Sequence, residues 1–447
     1  MYLLTNGRVI TRDPAGTGYY EKGAVAFEGR LIREVGTEAA LREKYPAAEI
    51  IDAKGGVIMP AFLNAHTHIY SALARGLSIV GNDPTNFYEV LDGTWWAIDR
   101  RLTLAATKAS ADALYLDCIK QGVTTIFDHH ASYGEIPGSL FTIAESAKAF
   151  GIRSCLCYEV SDRDGEEKCR QAIRENADFI TYCEKERDPM LRAMFGGHAL
   201  FTLSDKTFEQ MVAANGGRTG YHIHVSEGMN DVYDSLQNYG RRPVQRLQDH
   251  GILGEKTLLG HCIHVNTAEI ELIRETDTMV VNNPESNMGN AVGICPVLPL
   301  CKNGILLGMG TDAYTNDMLE SLKVALCSQR SNACAPNVAW GEVTKMLFSN
   351  NAKIAARYFP EELGVLKPGA AADIIVMDYK PFTPFSDENI DGHMIFGMTG
   401  RQCQTTIAAG KLLMLDREPV GIDEEAVNAH ILEQSKALWG SLNHRTY

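Results

Sequence analysis

Val57-Ile58-Met59-Pro60-Ala61-Phe62-Leu63-Asn64-Ala65-His66-Thr67-His68 reads as an apolar strand that ends in two histidines two residues apart. Side chains repeat every second residue along a strand, so His66 and His68 point the same way. Two neutral imidazoles fixed side by side make half of a metal site, and the rest must come from distant parts of the chain. Matching residues stand where other strand-like runs end: His224, His261 and Asp312, with Glu227 three residues past His224.

Outward from this stretch, residues 58–360 alternate strand and helix. Candidate strands end near His68, His129, Glu159, His198, His224, His261, Asn282 and Asp312. Helical stretches over 103–120, 138–150, 165–187, 205–215, 229–250, 267–275 and a pair within 317–358 separate them. Eight strands with intervening helices predict an α/β fold, a (β/α)8 TIM-like barrel whose strand ends converge on one mouth. The ends of the chain have a different texture. Val9-Ile10-Thr11, Gly23 to Phe27 and Leu31 to Val35 are short β-rich runs, with Glu28-Gly29-Arg30 as a hairpin turn. The segments 371–378 and 405–414 repeat the pattern. A small β-sandwich assembled from 1–57 and 361–420 is expected beside the barrel, followed by an amphipathic helix from Glu424 to Leu442 within 421–447.

The chain has 447 residues, 45% hydrophobic and 22% charged, the proportions of a globular enzyme. Its net charge of −14 argues against binding nucleic acid or anionic membrane, both of which need a basic surface. Eleven cysteines without a C-x-x-C spacing read as reduced thiols, and the N-terminal residues lack the basic and apolar regions of a signal peptide. The expected location is the cytoplasm.

Tyr221-His222-Ile223-His224-Val225-Ser226-Glu227 places His222 and His224 on one strand face, and the pattern alone does not say which is a ligand. Glu227, in the loop beyond, suits general acid–base work beside a metal-polarised water. His264, three residues past His261, cannot share its strand face and is set aside. Asp312 closes the run Ile305 to Thr311; it could cap the following helix, but its place at the eighth strand end favours a ligand. Imidazoles with one carboxylate suit zinc or ferrous iron better than magnesium or calcium.

On these motifs, together with Leu366-Lys367-Pro368-Gly369-Ala370-Ala371-Ala372-Asp373-Ile374-Ile375-Val376, the chain resembles the amidohydrolase superfamily in its deaminase/chlorohydrolase branch. Within that branch it is most similar to the SsnA-type aminohydrolases, a group tied to purine metabolism. The resemblance implies one divalent metal, zinc or iron, held by His66, His68, His224 and Asp312, with Glu227, His261 and Asp312 catalytic. It implies a metal-activated water that hydrolyses a C–N bond other than a peptide bond. The expected reaction is deamination of a purine-like heterocycle; the alternative is opening of a cyclic amide or ureide. Two-metal relatives carry a lysine at the fourth strand, where this chain has His198, which favours a single metal. His198, His129, Trp95 and Asn287 are the expected substrate contacts. Asn283 stands where the branch usually has cysteine. The expected partners are a small heterocyclic substrate and a second copy of the chain in a homodimer.

Overall fold

The computed structural model describes residues 1–447. The stretch from Val57 to His68 is two strands, not one. Val57–Pro60 pairs with Tyr2–Ile10 and Ile374–Met377, whereas Phe62–Thr67 pairs in parallel with Val123–His130. The chain therefore passes from one sheet to another at Ala61, and the change lies a few residues beyond the expected boundary at 57. His68 extends just past the strand with an extended backbone, φ −123° and ψ 99°.

Two parallel sheets follow. Phe62–Thr67, Val123–His130, Arg153–Tyr158 and Leu191–Ala193 form a four-stranded sheet. Phe195–Ala199, Tyr221–Val225, Leu258–His261, Met279–Asn282 and Leu307–Met309 form a five-stranded one. Single parallel bridges join them at both edges, Thr67 with Asp312 and Val160 with Gly197. The strands are buried on both faces, as parallel strands covered by helices must be. Gly310 follows the last of them because a Cβ there would come within 2.7 Å of the His66 carbonyl oxygen.

Most expected helices form with the anticipated punctuation. Leu104–Gln121 is capped by the Thr103 side chain, which accepts from the Ala106 amide, and ends at Gly122 with φ 76°. The expected helix over 229–250 is two, Met229–Tyr239 and Pro243–Asp249. Gly240 with φ 64° stops the first, and Pro243 starts the second. The 317–358 segment holds the expected pair, Met318–Ala333 and a second run in which a π-helical turn, Met346–Asn350, joins Trp340–Lys345 to Asn351–Ala356.

The strands of both chain ends pair into a single nine-stranded sheet, in which Cys403–Ala408 and Lys411–Leu415 form the far hairpin. Leu4, Val25, Phe27, Ile58, Ile374 and Ile407 build the core beneath it. Arg153 fastens the four-stranded sheet to this terminal part: its fully buried guanidinium pairs with Asp373 at 2.5 Å and Glu361 at 2.9 Å. The last helix, Glu424–Asn443, packs on Leu104–Gln121, and Trp439 Nε1 donates to the Leu73 carbonyl at 2.7 Å. No helix is long and apolar enough to cross a membrane.

Candidate metal centre and its cavity

His66, His68, His224 and Asp312 come from three separate strand ends, and one ligand atom of each lies within 4.8 Å of all the others. The hydrogen bonds around the rings explain how they are aimed. His68 Nδ1 donates to the His129 carbonyl at 2.6 Å, and His224 Nδ1 donates to the His198 carbonyl at 2.9 Å. Each bond leaves Nε2 turned inward, the arrangement that orients imidazole ligands. His66 Nδ1 meets His222 Nε2 at 2.8 Å. His222 therefore supports His66 from behind, and His224 occupies the cluster, which resolves the choice that alternation left open.

His68 Nε2 lies 2.7 Å from Asp312 Oδ1 and 3.2 Å from His224 Nε2; His66 Nε2 lies 3.4 Å from the same carboxylate oxygen. His66 Nε2 is buried and has no hydrogen-bond partner. A buried, unsatisfied imidazole nitrogen among two others and a carboxylate is the donor set of zinc or ferrous iron, so these residues fit one divalent cation.

Electrostatics divide the cluster. Burial alone would raise the Asp312 carboxyl, but His68, His66 and His261 outweigh it and hold it well below the usual range. Burial opposes a charge on His68, yet Asp312 carries that imidazole up to about 9. Burial lowers His66 to about 4 against the pull of Asp312, and it pushes His224 well below its ordinary value. A bound cation would supply the positive charge that Asp312 otherwise draws onto His68.

Glu227 and His261 stand on the other side of Asp312. His261 Nε2 is 3.5 Å from Glu227 Oε2 and 3.9 Å from Asp312 Oδ2. Its Nδ1 donates to Asn287 Oδ1 at 2.7 Å, which keeps Nε2 facing the carboxylates. The Ser286 hydroxyl donates to Asp312 Oδ2. Burial and then the Asp312 charge push Glu227 well above the usual carboxylate range. Ser226, His261 and Asp312 all sit at positive φ, 50°, 67° and 56°. Non-glycine residues in this region store strain, and such strain gathers at functional sites.

The cavity in front of the cluster is lined by His68, His224, Glu227 and Asp312 on the polar side and by Tyr70, Phe87, Leu91 and Trp95 on the apolar side. His198 and Trp95, expected as substrate contacts, line it. His129 and Asn287, expected in the same role, do not. The His129 ring is fully buried with Nε2 donating to the Gly197 carbonyl at 3.0 Å, and Asn287 is occupied by His261. Both therefore act behind the wall. His264 turns away and donates to the Val292 carbonyl at 2.8 Å.

The sequence reading missed Tyr70, Phe87, Leu91, Glu159 and Asn290 in this wall. Glu159 carried a signal, as the residue closing the third strand-like run, and so did Phe87 and Leu91, which stand with Trp95 at four-residue spacing along the helical run Phe87–Asp99. Tyr70 and Asn290 lie in short turns with no periodicity to mark them.

A model described as the amidohydrolase family matches residues 57–413, and one described as an imidazolonepropionase-like composite domain of bacteria matches residues 23–48. The chain is 30% identical over 449 residues to a 5'-deoxyadenosine deaminase of Methanosarcina mazei, with 99% of each chain covered. It is 33% identical over 422 residues to a 5-methylthioadenosine/S-adenosylhomocysteine deaminase of Thermococcus sibiricus, covering 92% of this chain and 94% of that protein. The fold is shared with an adenosine deaminase of Xanthomonas campestris crystallised with zinc, at a TM-score of 0.85 and 22% identity over 98% of both chains.

Proposed function

Because this chain belongs to the amidohydrolase family, we propose that it is a metal-dependent aminohydrolase that removes an amine from a purine-like heterocycle. The observation that carries the reading is the convergence of His66, His68, His224 and Asp312 within 4.8 Å, beside a second cluster of Glu227, His261 and Asp312. The deaminases of nucleosides among its relatives support the reaction class. Zinc is the metal we assign, in keeping with the nitrogen-rich donor set.

When bound, such a cation supplies Lewis acidity that brings the pKa of water from 15.7 toward about 7. The protein supplies the proton transfers. Asp312, held ionised by its histidines and oriented by Ser286, is the base that receives the proton of the attacking water. His261, with its Nδ1–H held by Asn287, turns the Nε2 lone pair toward the same spot, where it accepts a hydrogen bond from the attacking water and orients it. Glu227, raised by burial and facing the cavity, gives a proton to a ring nitrogen; the proton collected by Asp312 leaves with the amine, and the proton of the carbon-bound hydroxyl returns to Glu227 as the carbonyl forms.

We read the two parallel sheets as one closed (β/α)8 barrel, supported by the bridges at both edges, and the nine-stranded sheet as the composite β-sandwich of both chain ends, with its first part reaching Pro60. The helix in 421–447 packs outside the barrel. The net charge of −14 suits a protein that binds small molecules and no nucleic acid.

The test is an assay of metal-loaded protein against aminopurines and pterins, read as ammonia release and product mass. Deamination releases one ammonia per product. A product heavier by one water, with a new carboxylate and no ammonia, would instead identify ring opening. Glu227→Gln should keep its metal and lose at least about a hundredfold in turnover.

A further inference from the structure

Glu159 ends the strand Arg153–Tyr158, and its main chain is pinned on both sides. Its amide donates to the His130 carbonyl at 2.8 Å, and the Tyr133 hydroxyl donates to its carbonyl at 2.7 Å. Its side chain is only 3% exposed and faces the cavity that His198, Glu227 and Asp312 line. No hydrogen bond reaches its carboxylate. The nearest groups are Arg163 Nη2 and His129 Nδ1, each at 3.6 Å, and that His129 nitrogen is itself without a partner.

A buried carboxylate left so is costly unless a charge compensates it and a donor arrives. Arg163 provides the charge. It is 5% exposed, pairs with Asp99, and lies over the rings of Tyr133 and Trp96 at 4.0 and 5.1 Å. These contacts tie up the guanidinium and leave the cavity-facing oxygens of Glu159 for a ligand.

His198 presents a second acceptor. The Thr202 hydroxyl spends its single hydrogen on the Ala199 carbonyl at 3.0 Å, so His198 Nδ1, 2.7 Å from that hydroxyl oxygen, is the donor between them. His198 Nε2 then carries a lone pair. Glu159 also lies deep. The His129 ring beside it is centred 4.5 Å from the His224 ring and 5.6 Å from the His68 ring. A heterocycle with its reacting carbon at the metal cluster therefore sets its ring edge, not a distant substituent, against Glu159.

Resting on the deaminase reading above, we infer that Glu159 is a specificity-determining residue that accepts a hydrogen bond from a lactam N–H of the substrate ring, so that the substrate is an oxopurine- or pterin-type heterocycle. An N9-substituted adenine fits this wall poorly. Apart from the amine it loses, its ring edge offers only acceptors, and two acceptors would oppose them. A site built to hydrogen-bond a substrate N–H rejects analogues that lack it by large factors.

Binding tests this without turnover, so the outcome is separate from whether ammonia is released. Zinc-loaded protein is titrated calorimetrically with xanthine, which has two lactam N–H groups, and with 1,3-dimethylxanthine, which has none. Xanthine should bind at least about thirtyfold tighter. Glu159→Leu, similar in size and without acceptors, should cut that ratio at least tenfold, and Glu159→Gln should cut it less. Equal affinity for the two ligands in the wild type overturns the inference whatever the variants do. So does a ratio that survives in both Glu159 variants. Inosine and its 2',3'-dideoxy analogue form the second arm. A Glu159-dependent loss on removing the sugar hydroxyls, with no effect of ring methylation, would assign Glu159 to the sugar and overturn it too.

Discussion

His222 Nε2 lies 2.8 Å from His66 Nδ1, between two rings that solvent does not reach. The neutral pair shares one proton, and that bond fixes which nitrogen of His66 turns toward His68, His224 and Asp312. An outer partner of this kind tunes a metal ligand without touching the metal. Replacing it with an apolar ring, His222→Phe, should weaken metal affinity by about 10–100-fold, measured by competition with a chromophoric chelator. Full affinity in the variant would show that packing alone orients His66.

Asn287 holds His261 in the same manner, through the 2.7 Å bond to Nδ1. Without it the imidazole can turn and exchange tautomers, and Nε2 no longer stays against Glu227 and Asp312. Asn287→Leu should lower kcat by about 10–100-fold while the metal content stays at the wild-type level. Asn287→Asp keeps an acceptor and should recover part of the loss. A KM effect with unchanged kcat would return Asn287 to the substrate-binding role first expected for it.

Glu285 tests the electrostatics away from the metal. Burial, helped by Glu320 and Asp317, pushes its carboxyl up to about 7 despite the Ser321 hydroxyl that donates to it at 2.6 Å. A carboxyl whose pKa is higher in the folded state binds more protons there, so its contribution to stability is present at low pH and is lost as pH rises from about 4.5 through 7. Glu285→Gln removes that loss. In urea denaturation the variant should gain on the wild type between pH 5 and pH 8, by about 1–3 kcal/mol. An identical difference at both pH values would mean that Glu285 ionises as in water.

The sequence exposed the parts of this site that obey strand periodicity. His66 and His68 were visible because alternation puts i and i+2 on one face, and Asp312 because an apolar run led to it. The same rule could not separate His222 from His224, which share a face; the difference lies in the depth at which each meets the neighbouring strand. Periodicity also fused Val57–Pro60 with Phe62–Thr67, since nothing in an unbroken apolar run shows that its halves belong to different sheets. His129 was misplaced because a histidine at a strand end looks the same whether its ring faces the cavity or, as here, lies buried against the Gly197 carbonyl. Glu159 was legible as the end of the third strand-like run, but its importance comes from what it lacks, a hydrogen-bond partner, and that is a property of the packed structure alone.

The central claim is that three imidazoles and one carboxylate from distant strand ends hold a single cation. The direct measurement is metal content by mass spectrometry after zinc loading and desalting, for the wild type and for His224→Ala. The expected result is one zinc per chain in the wild type, with occupancy in the folded variant reduced to a small fraction. A wild-type chain that retains no stoichiometric metal, or a variant that keeps a full equivalent, would contradict it.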